Sequence, residues 1–97
     1  MIRHEGNTLV VSGPVTLANV AQVLEQGYAA IRAGAGAVDL AGVTELDSSL
    51  LAMLLAWLRE AARTGRTLQF DHLPEGLTTI AQLYGVVELL PSAPTRH

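Results

Sequence analysis

The stretch "VTELDSSLLAMLLAWL", residues 43–58, decides the fold, because it joins an acidic and hydroxyl-bearing turn to the longest aliphatic run of the chain. Leucines and alanines without proline or glycine predict a helix from about Ser48 to Arg63, closed by Thr64 and Gly65. At about 100° per residue, Leu51, Leu54, Leu55, Leu58, Ala61 and Ala62 form one stripe, which is expected to face a sheet. Leu50, Met53 and Trp57 lie beside that stripe and widen the apolar arc to about 200°, more than a single sheet contact needs. Either the first or the third helix of the chain covers these three residues, or another protein does, since Trp and Met are enriched at interfaces. The remaining face carries Ala52, Ala56, Arg59 and Arg63.

Asp47, Ser48 and Ser49 also admit two readings. Asp and Ser side chains accept hydrogen bonds from the free N–H groups of a first helical turn, so capping explains their presence. One residue suffices to cap, however, and a helix N-terminus at the end of a parallel strand is where α/β sheets commonly place their sites.

Outward from this stretch, "NTLVVSGPV" predicts a strand ended by Ser-Gly-Pro, with "MIRHE" as an edge strand turned by Gly6 and Asn7. Leu17, Val20, Leu24, Tyr28 and Ile31 recur at helical spacing, with Thr16 as the expected N-cap and Gly34 and Gly36 as stops. Gly27 inside that helix costs about 1 kcal/mol relative to alanine, which predicts a close neighbour there. "AVDLAGV" is expected to be a short strand buried on both faces. "TLQFDHL" predicts another strand. Pro74 then opens a third helix, whose face bears Leu77, Ile80, Ala81 and Tyr84, with Gly85 at its end. The tail "VVELLPSAPTRH" is expected to add a short strand or turn. Strands alternating with helices predict a small α/β domain, its mostly parallel or mixed central sheet covered by helices.

Composition narrows the function. The 97 residues are 49% hydrophobic and 15% charged, below the usual charged fraction of about 25%, so the chain can bury a core. A net charge of −3 without a basic cluster argues against nucleic acid. The absence of cysteine removes disulfides, thiolate metal sites and thiol catalysis. Nothing in "MIRHEGNTLVV" resembles a signal peptide, and Leu50 to Leu58 is too short to span a bilayer, so a cytoplasmic protein is expected. His4, His72 and His97 lack metal-ligand spacing, and Glu45, Asp47 and Asp71 are expected to be solvated, so neither metal nor cofactor is expected. No phosphate-binding Gly-rich loop is present, and Ser48 is not in a nucleophile elbow, so no catalytic residues are assigned.

"VDL", "VTELDSS", the aliphatic helix, "GRTLQF" and "LTTIAQLYGVVELLP" together resemble the STAS domain family, to which anti-sigma factor antagonists and the cytoplasmic tails of sulfate transporters belong. The likeness spans about residues 8–91 and implies a single STAS domain across 1–97. "TLVVSGPV", "VDLAGVTELDSSLLAML" and "IAQLYGVVELLP" are most similar to its MlaB-like branch, small STAS subunits of bacterial phospholipid-transport ABC complexes. The resemblance implies that Ser48 holds the family's signature hydroxyl. In anti-sigma factor antagonists that hydroxyl is phosphorylated by a partner kinase, whereas in MlaB-like proteins it lies where the domain contacts the ATPase. The family usually has glycine two residues after the hydroxyl. Here the position is Leu50, which weakens the kinase reading and leaves an apolar protein contact.

The resemblance thus implies a non-catalytic subunit that binds and supports the ABC ATPase at the cytoplasmic face of the inner membrane. It would reach the membrane only through its partner. Its expected contact residues are Asp47, Ser48, Ser49, Leu50, Met53 and Trp57, joined by Thr78, Thr79 and Gln82 on the third helix. The alternative is an anti-sigma factor antagonist switched by a serine kinase at Ser48. In either case an uncovered apolar patch would let the isolated chain form a homodimer.

Overall fold

Gly6 and Asn7 reverse the chain between β1 (Ile2–Glu5) and β2 (Thr8–Val15), which pair antiparallel from Ile2 opposite Val11 to Glu5 opposite Thr8. The computed structural model describes residues 1–90. Asn7 also fastens this hairpin to the next strand: its carbonyl accepts the Gly36 and Ala37 N–H groups, and its Oδ1 accepts the Gly36 N–H at 3.1 Å. After β2 come α1 (Val20–Arg32), β3 (Ala37–Leu46), α2 (Ser48–Arg63), β4 (Gln69–Asp71) and α3 (Glu75–Leu83). A 3-10 turn over Val87–Leu89 follows. The four strands lie in chain order, with β2, β3 and β4 mutually parallel. This is the mixed sheet with covering helices that the alternation of elements predicts.

Alternation along the strands places the helices. Leu9 and Val11 of β2, Val38 and Leu40 of β3, and Phe70 of β4 are buried in one cluster with residues from all three helices. Their neighbours Val10, Ala37, Asp39 and Asp71 are only half-buried, so the helices cover one face of the sheet. The expectation that "AVDLAGV" is buried on both faces is therefore corrected. β3 is also longer than expected, reaching Leu46, with a register shift against β2 near Gly13 and Pro14.

The helices follow the sequence signals with local exceptions. α2 starts at Ser48 and ends at Arg63, and Gly65 beyond it adopts a left-handed conformation (φ 75°) that a side chain would resist. α1 begins at Val20, because the Thr16 carbonyl accepts the N–H groups of Asn19 and Val20 and closes a turn first. Leu17, expected on the buried stripe of α1, therefore lies in that turn and is 79% exposed. Thr16 Oγ1 accepts the Ala18 N–H, while Asn19 immediately precedes the helix. On α3, Leu77 and Ala81 are buried, but Tyr84 falls just past the last turn and is 63% exposed, so it does not share their face. The sequence beyond Leu90, including Pro91, lies outside the described residues.

The wide apolar arc of α2 is filled from within. Leu50, Met53 and Trp57 are as buried as the sheet-facing leucines. α1 packs across them, with Gly27 directly against the Trp57 ring and the Trp57 Nε1–H donating to the Leu24 carbonyl at 3.1 Å. These three residues are core, and the expectation that they form an accessible patch is corrected. The missing side chain at Gly27 is what lets the indole enter.

Candidate functional site

The site is built around the junction of β3 and α2. At Leu46 the strand ends, and Asp47, in an extended conformation, turns its carboxylate back over the first turn of α2. Its Oδ1 accepts the Ser49 N–H at 2.8 Å, the N-cap bond the sequence suggests. Its Oδ2 accepts the Leu17 N–H at 3.0 Å, thirty residues away in the chain. One carboxylate thus ties the turn before α1 to the start of α2. The Leu17 N–H first, then the Ser49 hydroxyl and N–H, hold the Asp47 carboxyl below its ordinary value.

Ser48 is exposed, and its hydroxyl forms no side-chain hydrogen bond among the described residues. It stands at the positive end of the α2 dipole, where a negative group is favoured, although the Asp47 carboxylate already occupies part of that field. Ser49 is half-buried and opens a shallow apolar groove of about 270 Å³ between α1 and α2. Leu17, Val20 and Leu24 form one wall, Ala52 and Ala56 the other, and Met53 closes the floor.

α3 begins close by, since a side chain at Gly76 would touch Leu46 at 3.7 Å. Thr78 is half-buried and its hydroxyl donates to the Pro74 carbonyl, while the Thr79 hydroxyl donates to Glu75. Thr79 and Gln82 are exposed. The structure therefore brings Asp47, Ser48 and Ser49 together at one end of α2, with the start of α3 beside them. Gln82 lies two turns further along α3, and Leu50, Met53 and Trp57 support the surface from beneath.

Leu17 and the alanines of the groove are missed by sequence reasoning, which assigns Leu17 to the core. The available signal is the unusual pair of small residues, Ala52 and Ala56, on the outer face of α2.

Among the described residues no group of three His, Asp or Glu side chains can hold a metal ion. His4 is exposed and His97 lies outside the described residues. The His72 ring is instead engaged with Asp39 at 2.9 Å, and His72 itself adopts a left-handed conformation (φ 60°) at the end of β4. The Ala41 N–H, and then His72, hold the Asp39 carboxyl below its ordinary value. No described helix is long and apolar enough to cross a membrane.

Comparison with known proteins agrees with this geometry. Among solved structures, an anti-sigma-factor antagonist (STAS) domain protein from Planctomyces limnophilus is 21% identical, with a TM-score of 0.72 over 99% of this chain and 90% of that one. The anti-sigma factor antagonist SpoIIAA in its unphosphorylated form is 16% identical, with a TM-score of 0.70 over 97% of this chain and 87% of that one. The phosphorylated form of SpoIIAA, a Bacillus cell fate determinant, is 16% identical with a TM-score of 0.67, covering 97% and 90%. At these identities the likeness is one of fold. No curated protein matches the chain. The family model described as "Mlab, STAS domain" matches residues 1–91. With nearly the whole chain matched, the protein belongs to the STAS domain family, in its MlaB-like branch.

Proposed function

We propose that the protein is a non-catalytic STAS subunit that docks on the ATPase of a phospholipid-transport ABC complex at the cytoplasmic face of the inner membrane. The observation that carries this reading is the exposed Ser48 hydroxyl, set beside an uncovered leucine and an apolar groove by the carboxylate of Asp47. An exposed leucine continuous with an apolar groove and rimmed by polar groups has the anatomy of a protein contact, an apolar centre within a polar rim. The contact surface comprises Asp47, Ser48, Ser49 and Leu17, extended by Thr78, Thr79 and Gln82 on α3. Membership of the MlaB-like branch supports the choice of partner.

Co-purification with the transporter ATPase tests the reading. Wild type retains the ATPase, whereas Leu17→Asp and Ser48→Asp, both folded, retain little. Equal retention by all three proteins refutes the contact surface, and failure of wild type refutes the partner.

A second reading is an anti-sigma factor antagonist controlled by phosphorylation of Ser48. It is favoured by the accessible hydroxyl at the start of α2 and by the resemblance in fold to antagonists. Intact-mass spectrometry of the protein recovered from stressed cells separates the two, because the antagonist reading requires a phosphorylated fraction at Ser48.

A further inference from the structure

The far end of α2 carries charge of the opposite sign. At about 1.5 Å per residue, Arg59 and Arg63 stand roughly 16 and 22 Å along the helix from Ser48, past Ala56, the last α2 residue that lines the apolar groove. The chain has a net charge of −3, yet its six Lys and Arg residues are all arginines, and four of them, Arg32, Arg59, Arg63 and Arg66, lie at the end of α1, in the last two turns of α2 or in the turn after it.

Glu60 organises this end. The residue is only 8% exposed, and its carboxylate accepts from Arg32 Nε at 3.2 Å on one oxygen, with Arg63 Nη1 at 3.6 Å from the other. So enclosed, the carboxylate needs these partners, but it engages only one nitrogen of each. Both arginine side chains remain more than half exposed. Arg32 is further fixed over the Tyr28 ring, 5.0 Å from its centroid.

Beside them runs a cleft of about 530 Å³, lined by Tyr28, Ala56, Arg59, Glu60, Ala62 and Arg63. Complementing the negative ends of helices explains Arg66, which donates to the Ile31 carbonyl at 2.6 Å. It does not explain Arg59, which lies a turn before the end of α2 and forms no ion pair among the described residues.

We propose that this cleft docks a carboxylate-rich segment of a protein partner, a second surface beyond the one around Ser48. Three guanidiniums against a single carboxylate leave the rim positive, and their planar donor forks match carboxylate oxygens in pairs. Because Glu60 and Tyr28 hold Arg32 and Glu60 holds Arg63 beforehand, binding costs less ordering of these two long side chains. Tyr28, Ala56 and Ala62 supply an apolar floor for the methylene stems of glutamates.

The test is a titration of isotope-labelled protein with a short oligoglutamate peptide at low salt, followed by NMR. Saturable shifts centred on Tyr28, Arg32, Arg59 and Arg63 are expected, shrinking as salt is raised. They are lost in Arg59→Glu, whose unchanged spectrum elsewhere reports an intact fold, and kept in Ser48→Asp. The proposal is overturned if saturable shifts are absent, if Arg59→Glu leaves them undiminished, or if Ser48→Asp removes them. It is equally overturned if inorganic phosphate or phosphatidylglycerol vesicles produce as large a response as the peptide. The ATPase contact stands or falls on co-purification, independently of these outcomes.

Discussion

The indole of Trp57 occupies the space that a side chain at residue 27 would need. A Cβ built on Gly27 would stand 2.0 Å from Trp57 Cζ2, while the indole N–H is satisfied by the Leu24 carbonyl three residues earlier on the same helix. The contact between α1 and α2 is therefore made by a glycine and the largest side chain in the protein.

Gly27→Ala is expected to destabilise the protein. Alanine favours the helix by about 1 kcal/mol, but the rigid ring must move or α1 must lift away, and overpacking of this kind costs about 1–3 kcal/mol. A urea titration followed by Trp57 fluorescence reads the net loss. A variant as stable as wild type would mean that the two helices separate freely.

Trp57→Ala should cost about 3–5 kcal/mol, the range for removing a large aromatic side chain from a core. Trp57→Phe should cost less, although it leaves the Leu24 carbonyl without its indole partner. Any loss of partner binding in Trp57→Ala should follow the unfolded fraction, whereas Trp57→Phe, still folded, binds normally. Calorimetry together with co-purification distinguishes this from a direct contact.

Asp47 and Asp39 give the stability a defined dependence on acid. Both carboxyls are held below the ordinary value of 3.8, Asp47 chiefly by the Leu17 N–H and Asp39 chiefly by the Ala41 N–H. A carboxyl with a depressed folded-state pKa stabilises the fold above its unfolded value, and that contribution disappears as pH falls through the folded value. The thermal midpoint should thus decline as the solution is acidified from about pH 4 downward. Asp47→Asn should show a shallower decline, from a lower midpoint at neutral pH. Parallel curves for the two proteins would contradict the bonds assigned to Asp47.

Ser48→Ala is expected to change stability by no more than about 0.5 kcal/mol, because the side chain is exposed and its hydroxyl is unpaired among the described residues. Ser48→Asp should also fold, with its charge close to that of Asp47. Chemical denaturation checks both, and a large loss in Ser48→Ala would assign the hydroxyl a structural role.

Local chemistry made much of this fold legible. Asp47 and Thr64-Gly65 mark the two ends of α2, and the turn at Gly6-Asn7 is where the dipeptide suggests. What covers Leu50, Met53 and Trp57 is not visible from periodicity, which reports the direction of a side chain and not what lies above it. Gly27 is the clue to the answer, but it identifies a close neighbour without naming it. Leu17 shows the opposite failure. Its spacing fits a helix, but the Thr16 carbonyl closes a turn first and carries the leucine outward. Asp39 and His72 read as ordinary polar residues, because a bond between adjacent strands leaves no trace in linear spacing.

Strands laid down in chain order bear on how the molecule is made. Each strand joins the edge left by its predecessor, so a nascent polypeptide can extend the sheet from one side only, as it emerges from the ribosome. The indole that seals the α1–α2 contact arrives only after β3 has been synthesised. Until then the face of α1 around Gly27 has no cover.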